Sequence, residues 1–121
     1  MTRLPRRRVR EPMMPERATQ REFPRHRKFI RSLACSVASL TCTSRIECAH
    51  VRHETDGGTG LKPSDWWTIP LCSWHHGVQH TLGESTFEKR YWINMKAIAL
   101  GLARQSPDQD MRRIMRERGV L

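Results

Sequence analysis

Apolar residues recur at intervals of four, four, three and four along Phe87, Tyr91, Met95, Ile98 and Leu102. That is one stripe at helical period, and it predicts a single amphipathic helix with a buried face. Ser85-Thr86-Phe87-Glu88 opens the stretch as a capping box, in which the Ser hydroxyl and the Glu carboxylate each satisfy a free backbone N–H. Upstream, the spacing predicts a helix from near Ser73 to a stop at Gly83. Downstream, Ser106 as cap, Pro107 at the first position and Gln109 announce a third helix ending at Gly119, with Met111, Ile114 and Met115 as its apolar side. Residues 28–34 suggest a short helical turn. Before the helices, 46–51 and 67–71 are short apolar or β-branched runs that read as strands. Residues 52–65, with Gly57-Gly58-Thr59-Gly60 and Pro63, are a loop by composition. The order predicts a small α+β unit with C-terminal helices, and no internal repeat is visible.

Charge changes the reading of the N-terminus. The 121-residue chain carries a formal charge of +10, and residues 1–31 hold eleven Lys/Arg against three Glu. With Pro5, Pro12, Pro15 and Pro24 interrupting it, the span 1–28 is expected to be a disordered basic arm, followed by one folded domain over 29–121. Arg6, Arg7, Arg8 and Arg10 are its candidate nucleic-acid contacts, since Lys/Arg that neutralise phosphates gain from counterion release. A nucleic acid is therefore the expected partner of the arm. No 18-residue apolar run is present, so no membrane span is expected. Without a secretory apolar segment the expected compartment is a reducing cytoplasm, where clustered Cys and His read as metal ligands before disulfides. Aromatics are only 7% of the chain, a small core of the kind that is often supplemented by a metal.

The ligand candidates concentrate in Leu71-Cys72-Ser73-Trp74-His75-His76-Gly77-Val78-Gln79-His80. Cys72 and His75 have the knuckle spacing of two ligands to one zinc, with Cys35 and Cys42 as the obvious completing pair and Cys48 as a rival. Such a Cys₃His set closes a structural site. His76 and His80, four apart, project from another face of the same helix and can reach a second cation. Its remaining ligand candidates are Glu47, His50, His53, Glu54, Asp56 and Asp65. An imidazole pair that leaves water positions open suits metal-assisted hydrolysis, and a separate neutral histidine then serves as base, a role for which His50 at a strand end is well placed. His26 and His53 read as ordinary core or surface residues.

Ile46-Glu47-Cys48-Ala49-His50-Val51, followed by Ile69-Pro70-Leu71-Cys72-Ser73-Trp74-His75-His76-Gly77-Val78-Gln79-His80, resembles the HNH or ββα-metal nuclease motif, here over residues 46–80. Gly58-Thr59-Gly60-Leu61-Lys62-Pro63-Ser64-Asp65 and Thr68-Ile69-Pro70-Leu71-Cys72 are similar to the small phage and prophage HNH proteins of the recombination-enhancement nuclease type. The likeness spans residues 35–92. It implies a zinc-supported hairpin and helix gripping one divalent cation (Mg, Mn or Zn). His50 would be the general base, His76 and His80 the catalytic-metal ligands, and Cys72 and His75 knuckle ligands. Asp65 would orient His50 or complete the metal shell, and Arg52 and Lys62 would hold flanking phosphates. The implied activity is hydrolysis of DNA phosphodiesters with little sequence specificity, in a bacterial host cell and with a recombination protein as a possible partner. Two positions depart from the family pattern: Ala49 stands where a metal ligand usually precedes the base, and Trp67 lies near the place of the orienting Asn. A non-catalytic, zinc-stabilised DNA-binding or recombination-accessory protein is the rival expectation.

Overall fold

The two β-branched and apolar runs pair with each other. In the computed structural model, which describes residues 20–43 and 45–121, β1 (Ile46–His50) and β2 (Thr68–Cys72) form a two-stranded antiparallel sheet. The register sets Ile46 opposite Cys72 and His50 opposite Thr68. Every residue of β2 is buried, because helices cover it on both sides. Pro70 is accommodated there because position 70 faces away from the β1 ladder and its missing N–H costs no inter-strand bond, while its carbonyl, on that same outer side, accepts from Ser36 N and Oγ at 2.8 and 2.9 Å. Those bonds fasten the 32–43 segment to the sheet.

Five helices complete the described residues: α1 (Pro24–Arg31), α2 (Ser73–Leu82), α3 (Glu84–Tyr91), α4 (Met95–Arg104) and α5 (Gln109–Glu117). The small α+β architecture follows the sequence reading, but several boundaries differ from it. Helix α1 begins at Pro24 rather than near Lys28, with proline in the first turn where a missing N–H costs nothing. It buries His26 and Ile30, and Phe23 just before it stacks on Trp66 at 5.8 Å. Residues 20–28 therefore belong to the folded body and not to a basic arm. The rest of that expected arm, including Arg6, Arg7, Arg8 and Arg10, lies outside the described residues.

The expected long helix is two. Trp92 takes a left-handed conformation (φ 58°, ψ 46°) that ends α3. Asn94 then caps α4 by accepting from Ala97 N, and the Glu88 carboxylate accepts from Met95 N at 2.7 Å. Glu88 is thereby used at the far end of its helix, so the capping box with Ser85 does not form, and α3 starts from Gly83 without a side-chain cap. The apolar stripe survives the break: Phe87 and Met95 are fully buried, and Tyr91 and Ile98 pack beside them. For α5 the cap is Asp108, whose carboxylate accepts from Met111 N at 3.0 Å, and not Ser106.

Ser106 has another task. Its Oγ lies 2.8 Å from Nδ1 of the fully buried His26 and accepts from Asp108 N, tying α1 to the α4–α5 turn. Burial lowers the His26 pKa from 6.5 to about 4, with Asp65 and Asp108 pulling it back up in part. The unfolded chain thus takes up this proton first. Stability held by neutral His26 is whole above about pH 6.5 and falls as pH drops toward about 4. Between about pH 7 and pH 4.5 the native protein should lose about 2 kcal/mol more than His26→Gln does. Urea midpoints of both proteins at the two pH values check this, and parallel losses would contradict it.

Candidate metal centre and adjoining cleft

Helix α2 starts on a thiol. Cys72 is its N-cap, with Sγ accepting from His75 N at 3.4 Å, and one turn into the helix His75 is fully buried. Its Nδ1 lies 3.2 Å from Cys72 Sγ, 3.5 Å from Cys42 Sγ and 3.6 Å from Cys35 Sγ. The four ligand atoms all fall within 4.8 Å of one another. Sulfur and nitrogen at two corners of a zinc tetrahedron are about 3.5 Å apart, given bond lengths near 2.3 and 2.1 Å. The cluster is thus dimensioned for a metal ion such as zinc. Nε2, the other ring nitrogen of His75, faces Ser39 Oγ at 3.4 Å, and the ring meets Trp74 and Tyr91 edge to face, so its orientation is fixed.

The thiols are electrostatically unequal. Burial disfavours the Cys72 thiolate, but hydrogen bonds from the His75 backbone and from Thr43 outweigh it and bring the pKa down to about 6. Burial pushes Cys35 up to about 11. A divalent cation removes that conflict by deprotonating its thiol ligands outright. Cys48, the rival ligand, is not in this group. Its Sγ donates to Arg27 O at 3.3 Å, and burial raises its pKa despite Arg31 nearby.

The opposite side of α2 borders a cleft of about 390 Å³ lined by Cys48, His50, Arg52, Lys62, His76, Gln79, His80, Gly83 and Glu84. His76 Nε2 and His80 Nε2 are 3.3 Å apart. His76 Nδ1 donates to Glu47 Oε1 at 2.8 Å, a carboxylate contact that leaves the Nε2 lone pair for the cleft. His50 Nε2 donates to Asp65 Oδ1 at 3.0 Å, and Asp65 is fully buried. Burial alone would raise the Asp65 pKa, but hydrogen bonds from His50 and from Phe23 N, with the Arg27 guanidinium, hold it below its ordinary value. The proton of neutral His50 then sits on Nε2, and Nδ1 carries the lone pair.

The sequence-predicted residues His50, Asp65, His76, His80, Arg52 and Lys62 are thus brought to one place. His53 is exposed and Ala49 is buried, while Trp67 is buried under the Lys96 ammonium 5.5 Å from its ring. Sequence reasoning missed Glu84, whose carboxylate accepts from Arg52 N and His53 N at 2.8 Å each and so aims the loop that follows β1. Asp56, a ligand candidate by sequence, instead accepts from Ser64 N at 2.9 Å and from Arg21, shaping the loop before Asp65.

Comparison with family models, curated proteins and solved structures returns no match to this chain.

If the Cys₃His cluster is a closed structural site, the purified protein should carry one zinc, and His76→Ala/His80→Ala should retain it. Cys72→Ser should lose it. Binding energy at such sites is folding energy, on the order of 10 kcal/mol. Chelation should therefore collapse the thermal midpoint, followed by circular dichroism with elemental analysis of the same samples. A metal-free protein with an unchanged midpoint would remove the cluster from the account.

Proposed function

We propose that this protein is a metal-dependent HNH-type endonuclease, of phage or prophage kind and acting in the bacterial cytoplasm, that hydrolyses DNA phosphodiesters with little sequence preference. One observation carries the reading. His50, bonded from behind by the buried Asp65, and the His76/His80 pair line the same cleft, with Arg52 and Lys62 on its wall. Two nitrogens bound to one cation at about 2.1 Å lie about 3.0 to 3.4 Å apart for octahedral or tetrahedral angles, which the His76–His80 separation fits. Glu47 supports the same use of His76, because its carboxylate fixes the tautomer that exposes Nε2.

Asp65 holds His50 so that Nδ1 takes the proton from a water in the cleft. Arg52 and Lys62 neutralise the flanking phosphates, contacts that position the duplex without reading bases. His76 and His80 would hold a divalent cation, which when bound would supply charge stabilisation to the phosphate and the leaving 3′ oxygen. His50 ends the step protonated, with Asp65 beside it to offset the charge.

The second reading is a zinc-stabilised DNA-binding or recombination-accessory protein without catalysis. It is favoured by Ala49 and Trp67, both buried at positions where the family carries a ligand and an orienting amide. Plasmid nicking by zinc-loaded protein with added Mg²⁺, Mn²⁺ or Zn²⁺ separates the two. His50→Ala should cut about 10² to 10⁴ times more slowly while still binding DNA. Undiminished cleavage by the variant would count against His50 as base, and no cleavage by the native protein under any cation would favour the binder.

The N-terminal cations should supply affinity and not chemistry. Deleting residues 1–19 removes six Arg and two Glu. Each lost phosphate contact should flatten the plot of log affinity against log salt by roughly 0.9, with the maximal rate unchanged. An unaltered slope would mean that these arginines are only solvated.

A further inference from the structure

Helix α1 lies outside the residues that resemble the nuclease family, yet it reaches the proposed base from behind. We propose that Arg27 is a positioning residue for His50, acting through Asp65, so that the catalytic unit is completed by a helix the motif does not contain. This rests on the nuclease reading for its kinetic consequence, though not for its structural one. The two oxygens of Asp65 are divided between partners. Oδ1 accepts from His50 Nε2 at 3.0 Å, while Oδ2 accepts both Phe23 N, at 2.7 Å, and the Arg27 guanidinium. Both partners of Oδ2 therefore come from α1 and the residue that caps it.

The chemistry of a buried carboxylate explains why that matters. Asp65 has no exposed surface. Without a cation beside it, a carboxyl in such a place is driven toward its neutral form or toward another rotamer. A protonated or displaced Asp65 no longer accepts reliably from His50 Nε2. The imidazole is then free to carry its proton on Nδ1, the nitrogen that must hold the lone pair. Arg27 and Phe23 N prevent both failures by occupying Oδ2 and leaving Oδ1 for the base.

Arg27 is itself held from several directions. Phe23 and Ile30 anchor α1 in the core, Asp65 N donates to Arg21 O at 2.9 Å, and Cys48 Sγ donates to Arg27 O from the cleft side. The Arg27 side chain stays 27% exposed, enough for a small cation to reach its place. Neither Arg31 nor Lys28 substitutes for it. Arg31 lies instead beside Cys48, 3.9 Å from its sulfur, and Lys28 is exposed.

The test uses zinc-loaded, full-length protein. Imidazole ¹⁵N spectra without DNA, with His50 assigned by comparison with His50→Gln, should show the Nε2–H tautomer in the native protein. Arg27→Met should shift His50 toward a tautomer mixture. At saturating DNA its kcat should fall roughly tenfold to a hundredfold, the usual size of a lost orienting partner, with KM little changed. Arg27→Lys should recover most of both properties, and free guanidinium should raise the rate of Arg27→Ala. A folded Arg27→Met with native tautomer and native kcat would overturn the assignment, as would an Arg27→Lys protein whose tautomer shifts as far as that of the Met variant. If Arg27→Met fails to fold, the spectra of Arg27→Lys decide alone. If the native protein cleaves nothing, the nuclease reading falls while the spectra still decide whether Arg27 positions His50.

Discussion

The β2–α2 junction is pinned by one thiol used twice. Cys72 closes the last ladder position opposite Ile46, caps α2 through its sulfur, and turns that sulfur toward His75 Nδ1 beside Cys35 and Cys42. With the helix start fixed in direction and rotation, the consecutive histidines His75 and His76 have no choice of side. His75 points into the cluster and His76, with His80 one turn on, borders the cleft. A metal at the cluster would thus set the direction of the His76/His80 pair without touching it. In a chain with so few aromatics, that constraint would replace much of what a larger core supplies.

Long-range carboxylate contacts tie together the elements around the cleft. Asp65 reaches back to α1, Glu84 reaches from α3 to the backbone after β1, and Glu47 reaches from β1 to α2. Each of these acids is already engaged, two of them with backbone N–H groups. Three imidazoles and two cationic side chains, Arg52 and Lys62, line the cleft beside Glu84.

Much of this was legible in the sequence because it is local. The Cys72/His75 and His76/His80 spacings are helix geometry, the strand runs carry β-branched and apolar residues, and Gly83 stops α2 as expected. Asp65 was also within reach, as an acid in a loop next to a strand. The missing parts depend on contacts between distant residues. Arg27 lies 38 positions from Asp65, in a stretch whose arginines and prolines read as unfolded until Phe23, His26 and Ile30 are seen to bury themselves. The helix break at Trp92 was hidden because the apolar stripe runs through it, while the actual punctuation is a left-handed Trp followed by an Asn cap. The capping-box pattern at Ser85 misled for a related reason: Glu88 has a better partner at Met95 N than at its own helix start.

The central claim is that one short helix serves two metal sites of different kind on its two sides. Anomalous diffraction from crystals of the zinc-loaded protein soaked in Mn²⁺ tests it most directly. The account predicts a zinc peak bonded to Cys35, Cys42, Cys72 and His75 Nδ1, and a separate manganese peak within bonding distance of His76 Nε2 and His80 Nε2. A single peak shared by His75 and His76, or manganese bound elsewhere with the cleft imidazoles unliganded, would contradict it.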